Sequence, residues 1–160
     1  FASKYYLVGM AKDAQENLYV SEPNSNAVNV YPAPSKTGSP SNTPPIVKLA
    51  GLSQPAGVAL DAFKNLLYVA NRGNNTVTVY SVSFTAASPP VPSALTQIPA
   101  MTQVLGVSGP LGLALSSDGK YLYVANKGSN TIAVFGLPLT GTKPIFNATP
   151  RTSRVRWESR

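Results

Sequence analysis

Apolar residues alternate with small polar ones through Tyr121 to Phe135, YLYVANKGSNTIAVF, in two runs separated by a Gly/Ser/Asn turn. The same arrangement occurs at Leu66 to Tyr80 (LLYVANRGNNTVTVY) and at Asn17 to Tyr31 (NLYVSEPNSNAVNVY). A period of two is the spacing of a β-strand, whose successive side chains leave on opposite faces. In the second run of each copy, Val28, Val30, Val77, Val79, Ile132 and Val134 share one face, and Asn29, Thr76, Thr78, Thr131 and Ala133 share the other.

The copies extend beyond this unit. PAGVALDAFKNLLYVAN (Pro55–Asn71) matches PLGLALSSDGKYLYVAN (Pro110–Asn126), and VGMAKDAQENLYVSE (Val8–Glu22) fits with one residue deleted. Tyr19, Tyr68 and Tyr123 mark the period, with intervals of about 49 and 55 residues, in the range of propeller blades and solenoid coils. Each repeat offers four short strands. The first, GVALD or GLALS, turns through AFKN or SDGK into the second, and the Asp118–Gly119 pair is a hairpin signal. The third is AVNVY, TVTVY or TIAVF. The fourth is expected at Ile46–Ala50 and at Thr102–Gly106, with a last one near Pro144–Thr149. Proline removes ladder donors, so Pro32–Pro45 and Phe84–Ala100 read as exposed loops.

The expected fold is therefore all-β and β-propeller-like, with about three four-stranded antiparallel blades forming an open arc or a fragment of a larger propeller. The blades occupy residues 5–54, 55–109 and 110–149, the last incomplete, and a basic tail at 150–160 lies outside the repeat. The tail holds every arginine except Arg72, and the only tryptophan, Trp157.

LYVANKGSNTIAVF resembles the YVTN-type propeller repeat, and GVALD…LLYVAN…NNTVTVY is also similar to NHL-type blades; related blades occur in lactonase-like seven-bladed propellers. The resemblance covers roughly residues 5–136 and implies the fold more than the activity, because this fold hosts many functions. It implies further blades or self-association to complete a ring, since an open arc exposes apolar sheet faces.

Composition narrows the chemistry. The chain has no His and no Cys, which excludes imidazole acid–base catalysis, imidazole metal ligands and thiolate chemistry within it. The formal charge is +7, but the positive residues before Arg151 are scattered singly, so no nucleic-acid face is expected. No apolar run is long enough to span a membrane. The chain starts FASKYYLVGM, without an initiator Met or a clear signal-peptide pattern, and reads as a mature or excised piece.

The acids Asp13, Asp61 and Asp118 fall in the turns after the first strands, where an aspartate bonds local backbone. Glu22, Asn71 and Asn126 end the second strands. They are candidate oxygen ligands for Ca²⁺, or turn residues in left-handed geometry. No other cofactor is implied. Asn26, Asn75, Asn130, Arg72 and Lys127, in the turns after those strands, are candidates for a ligand-binding rim. No catalytic set emerges. The expected function is a non-catalytic binding or scaffold module of a secreted, periplasmic or surface protein, recognising a protein, peptide or glycan. The alternative is part of a lactonase-like hydrolase whose active site is incomplete here.

Overall fold

The computed structural model describes residues 8–33, 44–86, 90–98, 107–139, 144 and 146–148. The tail and Thr102–Gly106 lie outside these residues. Three four-stranded antiparallel sheets follow one another along the chain. The first comprises β1 (Met10–Lys12), β2 (Leu18–Glu22), β3 (Ala27–Tyr31) and β4 (Val47–Leu49). The second comprises β5 (Pro55–Asp61), β6 (Leu66–Asn71), β7 (Thr76–Phe84) and β8 (Pro92–Gln97). The third comprises β9 (Pro110–Leu115), β10 (Tyr121–Asn126), β11 (Thr131–Gly136) and β12 (Phe146–Ala148). Each sheet keeps its strands in sequence order, the meander of a propeller blade.

The register follows the repeat. Leu67 pairs with Tyr80 and Val69 with Thr78, as Leu122 pairs with Phe135 and Val124 with Ala133. Each pair puts two side chains on one face, so alternation along a strand becomes a two-sided sheet. The core then forms between blades rather than within one. Tyr19, Val28 and Val30 meet Leu67, Val69, Tyr80 and Val82. On the far side of the second blade, Tyr68, Val77 and Val79 meet Leu122, Val124, Ala133 and Phe135. Burial of this kind stabilises by about 1.5–3 kcal/mol for each large apolar side chain.

The inner strands approach one another closely, and glycine makes that possible. A Cβ on Gly57 would lie 2.7 Å from the Leu111 carbonyl oxygen and 2.8 Å from the Leu113 nitrogen. No side chain fits there.

One expectation is corrected. The Pro-rich stretch Phe84–Ala100 is not all loop: Pro92–Gln97 forms β8, the fourth strand of the second sheet, pairing with an extended β7 through Tyr80–Gln97, Val82–Leu95 and Phe84–Pro92. Proline is tolerated because Pro92 opens the strand at a register irregularity on the sheet edge. The Thr85 N–H donates to the Val91 carbonyl at 2.9 Å and closes the connection.

Candidate functional site: the rim at the β2–β3, β6–β7 and β10–β11 turns

Asparagine sets the turns that form this rim. Asn26, Asn75 and Asn130 have φ of 49°, 57° and 53°, a left-handed geometry that asparagine tolerates better than most residues. This corrects the expectation of left-handed geometry at Asn71 and Asn126. They lie four residues earlier, still inside their strands.

Asn71 and Asn126 use their side chains as struts. Asn71 Oδ1 accepts the Ser53 N–H (3.3 Å), and its Nδ2 donates to Thr78 Oγ1 (3.0 Å). Asn126 likewise accepts the Ser108 N–H (3.1 Å), but its Nδ2 donates to Thr131 Oγ1 (3.3 Å), because Ala133 stands where the second blade has Thr78. Glu22 accepts from Ser25 Oγ at 2.9 Å and from the Tyr31 hydroxyl at 3.4 Å. Among the described residues, no three His, Cys, Asp or Glu side chains group as a metal site.

The rim candidates meet at the linker entering each blade. Asn26 Oδ1 accepts the Gln54 N–H at 2.8 Å, and the Gln54 carbonyl accepts the Arg72 N–H at 3.2 Å. One blade on, Asn75 Oδ1 accepts the Gly109 N–H at 2.6 Å, and the Gly109 carbonyl accepts the Lys127 N–H at 3.1 Å. Gln54 and Gly109 both have positive φ, 46° and 53°, which turns the two groups of one residue toward two different blades. Asn26, Arg72, Asn75 and Lys127 thus belong to one repeated latch, a role their spacing alone did not reveal.

Between the first two turns lies a cleft of about 530 Å³, lined by Val8, Pro23, Asn24, Asn26, Gln54, Ala56, Arg72 and Leu111. Arg72 is its one charged residue, is exposed, and forms no ion pair among the described residues. Lys127 and Asn130 line a separate cleft of about 240 Å³ on the third blade, with Leu111, Asn126 and Ile132.

At the opposite turns, the buried Asp13 accepts the N–H groups of Gln15 and Asn17, both at 2.9 Å, and Asn17 Nδ2 at 2.8 Å. Asp61, also buried, accepts the N–H groups of Phe63 (3.1 Å) and Lys64 (3.0 Å), and its Oδ2 faces the Lys64 ammonium at 3.3 Å. Burial, then the charge of Asp13 and the hydrogen bond to it, raises the Tyr19 hydroxyl well above the usual phenol range. Burial and then the Asp61 charge push Tyr68 up to about 12. In the third blade Ser116 takes the aspartate's register. The exposed Asp118 is held below the ordinary carboxylate range, first by the Ser116 hydroxyl.

Residues 10–135 match the family described as lactonase, seven-bladed β-propeller. The chain belongs to this family. Similar solved structures include a protein from Lactobacillus plantarum, 22% identical with a TM-score of 0.68 over 91% of this chain and 42% of that one. The periplasmic gluconolactonase of Pseudomonas aeruginosa is 20% identical, with a TM-score of 0.61 over 88% of this chain and 39% of its own. Hydrazine synthase of Kuenenia stuttgartiensis is 20% identical, with a TM-score of 0.63 over 92% and 37%. These likenesses concern the fold alone, and this lactonase-family chain spans about two fifths of each of those structures. No curated protein matches it. Among the described residues no helix is long and apolar enough to cross a membrane.

Proposed function

We propose that these three blades supply a non-catalytic binding wall, taking a polar, hydroxyl-bearing ligand with an acidic group, such as a sugar acid of a glycan, at the cleft beside Arg72. The observation that carries this reading is the setting of Arg72. An exposed guanidinium without an ion pair among the described residues stands in a cleft of about 530 Å³ whose other polar side chains are the amides of Asn24, Asn26 and Gln54. Guanidinium offers a planar fork for a carboxylate, and carboxamides suit hydroxyl groups. An exported location is part of the proposal, supported by likeness to a periplasmic propeller.

Calorimetric titration with gluconate, using glucose as the neutral control, tests this. Gluconate binds, glucose binds at least about tenfold more weakly, and Arg72→Gln removes the difference. Equal binding of both sugars, or an unchanged affinity in R72Q, overturns the reading.

The family match favours a second reading, in which these blades form part of a lactone hydrolase. It makes the opposite prediction. Hydrolysis of δ-gluconolactone above the spontaneous rate by this chain would replace binding with catalysis as its function.

A further inference from the structure

The repeated latch uses up the acceptors of its asparagines and leaves their donors. A backbone N–H can only donate, so the Gln54 N–H fixes Asn26 with Oδ1 toward it and Nδ2 away from it. The Gly109 N–H fixes Asn75 in the same sense. Both asparagines are exposed, and neither Nδ2 donates to a described residue.

A cation completes each set. Arg72 donates its main-chain N–H to the Gln54 carbonyl, and Lys127 donates its own to the Gly109 carbonyl, so neither charged side chain is spent on the latch. Both are exposed, and neither forms an ion pair among the described residues. The two junctions also share a wall: Leu111 lines the cleft of Arg72 and the cleft of Lys127 alike. The cations stand in register on adjacent blades, and packed sheets lie about 10 Å apart. In the first blade Pro23 takes the cation's register, next to Glu22, so the series begins at Arg72.

We infer that the two junctions form one track across the blade tips for an oligomeric acidic glycan, a chain of uronic acids. Arg72 takes one carboxylate, and Lys127 with the Asn75 Nδ2 takes another. This extends the acid site proposed at Arg72 and rests on it. The two contacts are unequal. Arg72 offers a planar fork with the Gln54 carboxamide in the same cleft, whereas Lys127 is a point charge on a flexible stem beside a glycine. Lys127 therefore adds little to the binding of a single sugar acid. It acts on a chain that Arg72 already holds, because the second contact is then intramolecular. A polyuronate carries a carboxylate on every residue, so a few residues reach both cations. Its hydroxyl groups meet the Asn26 and Gln54 amides, which an acidic peptide would leave without such partners.

Calorimetric titration of the 160-residue chain compares galacturonic acid with tetragalacturonic acid. Maltotetraose serves as the neutral chain and tetraglutamate as the acidic peptide. Tetragalacturonate binds at least about tenfold more tightly than the monomer, and maltotetraose shows no such gain. Lys127→Gln and Asn75→Asp each abolish the gain without lowering Tm, because the Lys127 N–H and the Asn75 acceptor both remain in the latch. If the monomer binds but the tetramer binds no more tightly, or if K127Q keeps the gain, the track is wrong and the Arg72 site stands. If neither monomer nor tetramer binds, both readings fall. Tetraglutamate binding as tightly as tetragalacturonate would make the occupant a peptide and overturn the glycan.

Discussion

The carboxamide oxygen of Asn75 accepts the Gly109 N–H at 2.6 Å across a separation of 34 residues, tying the tip of the second blade to the residue that starts the third. The bond needs both an acceptor at position 75 and a left-handed backbone, so substitutions separate the two. Asn75→Asp keeps both and changes stability least. Asn75→Gly loses only the acceptor, about 1 kcal/mol. Asn75→Ala also strains the turn and costs about 2 kcal/mol. Urea denaturation gives the order; equal losses for N75G and N75A would remove the backbone from the argument.

Gly57→Val isolates close approach from strand propensity. Valine suits a strand better than glycine, so a purely local effect would stabilise. Contact with the Leu111 and Leu113 backbone reverses the sign, and the expected loss is about 3 kcal/mol. A Tm at or above that of the parent chain would contradict the packing of β5 against β9.

The three turn aspartates rank by burial and bonding. Asp13→Ala removes the acceptor of three short hydrogen bonds and costs about 3 kcal/mol. Asp61→Ala strands two backbone donors and costs about 2 kcal/mol. Asp118→Ala, at an exposed site, stays within about 0.5 kcal/mol. A destabilisation of D118A equal to that of D13A would show that the third turn is built like the first.

Alkali weakens the fold through its buried phenols. An unfolded tyrosine loses its proton near pH 10, whereas Tyr68 in the folded chain holds it to about pH 12, and Tyr19 is raised further. Below pH 10 neither state ionises and stability is unaffected. Above it the unfolded chain binds fewer protons, so stability falls as pH rises, by at most about 1.4 kcal/mol per pH unit for each group. Absorbance titration of the native chain should leave at least Tyr19 and Tyr68 largely un-ionised at about pH 11. Full ionisation before unfolding would show that these hydroxyls are open to water.

Much of this was legible in advance, because a strand writes its period into the sequence. The blades follow the alternation at Leu66–Tyr80 and Tyr121–Phe135, and a strand does form at Phe146–Ala148 within the stretch proposed for it. The strand Pro92–Gln97 was hidden, since the neighbouring prolines that suggest a loop are acceptable on a sheet edge. The site was less legible than the fold. Asn26, Asn75, Arg72 and Lys127 were marked as a rim by their recurrence, but recurrence does not say what a residue touches.

By itself, then, the sequence determined the strands of the repeated units, their order and their turns, though not Pro92–Gln97, because these depend on side-chain period and on residues close in the chain. Only the tertiary structure decided that Asn26 bonds Gln54 and that Asn75 bonds Gly109. It also decided that Tyr68 is buried while Tyr123 is exposed. Equivalent residues in three copies have the same local preference, but their partners come from the neighbouring blade, and on its Tyr123 side the third blade faces none among the described residues.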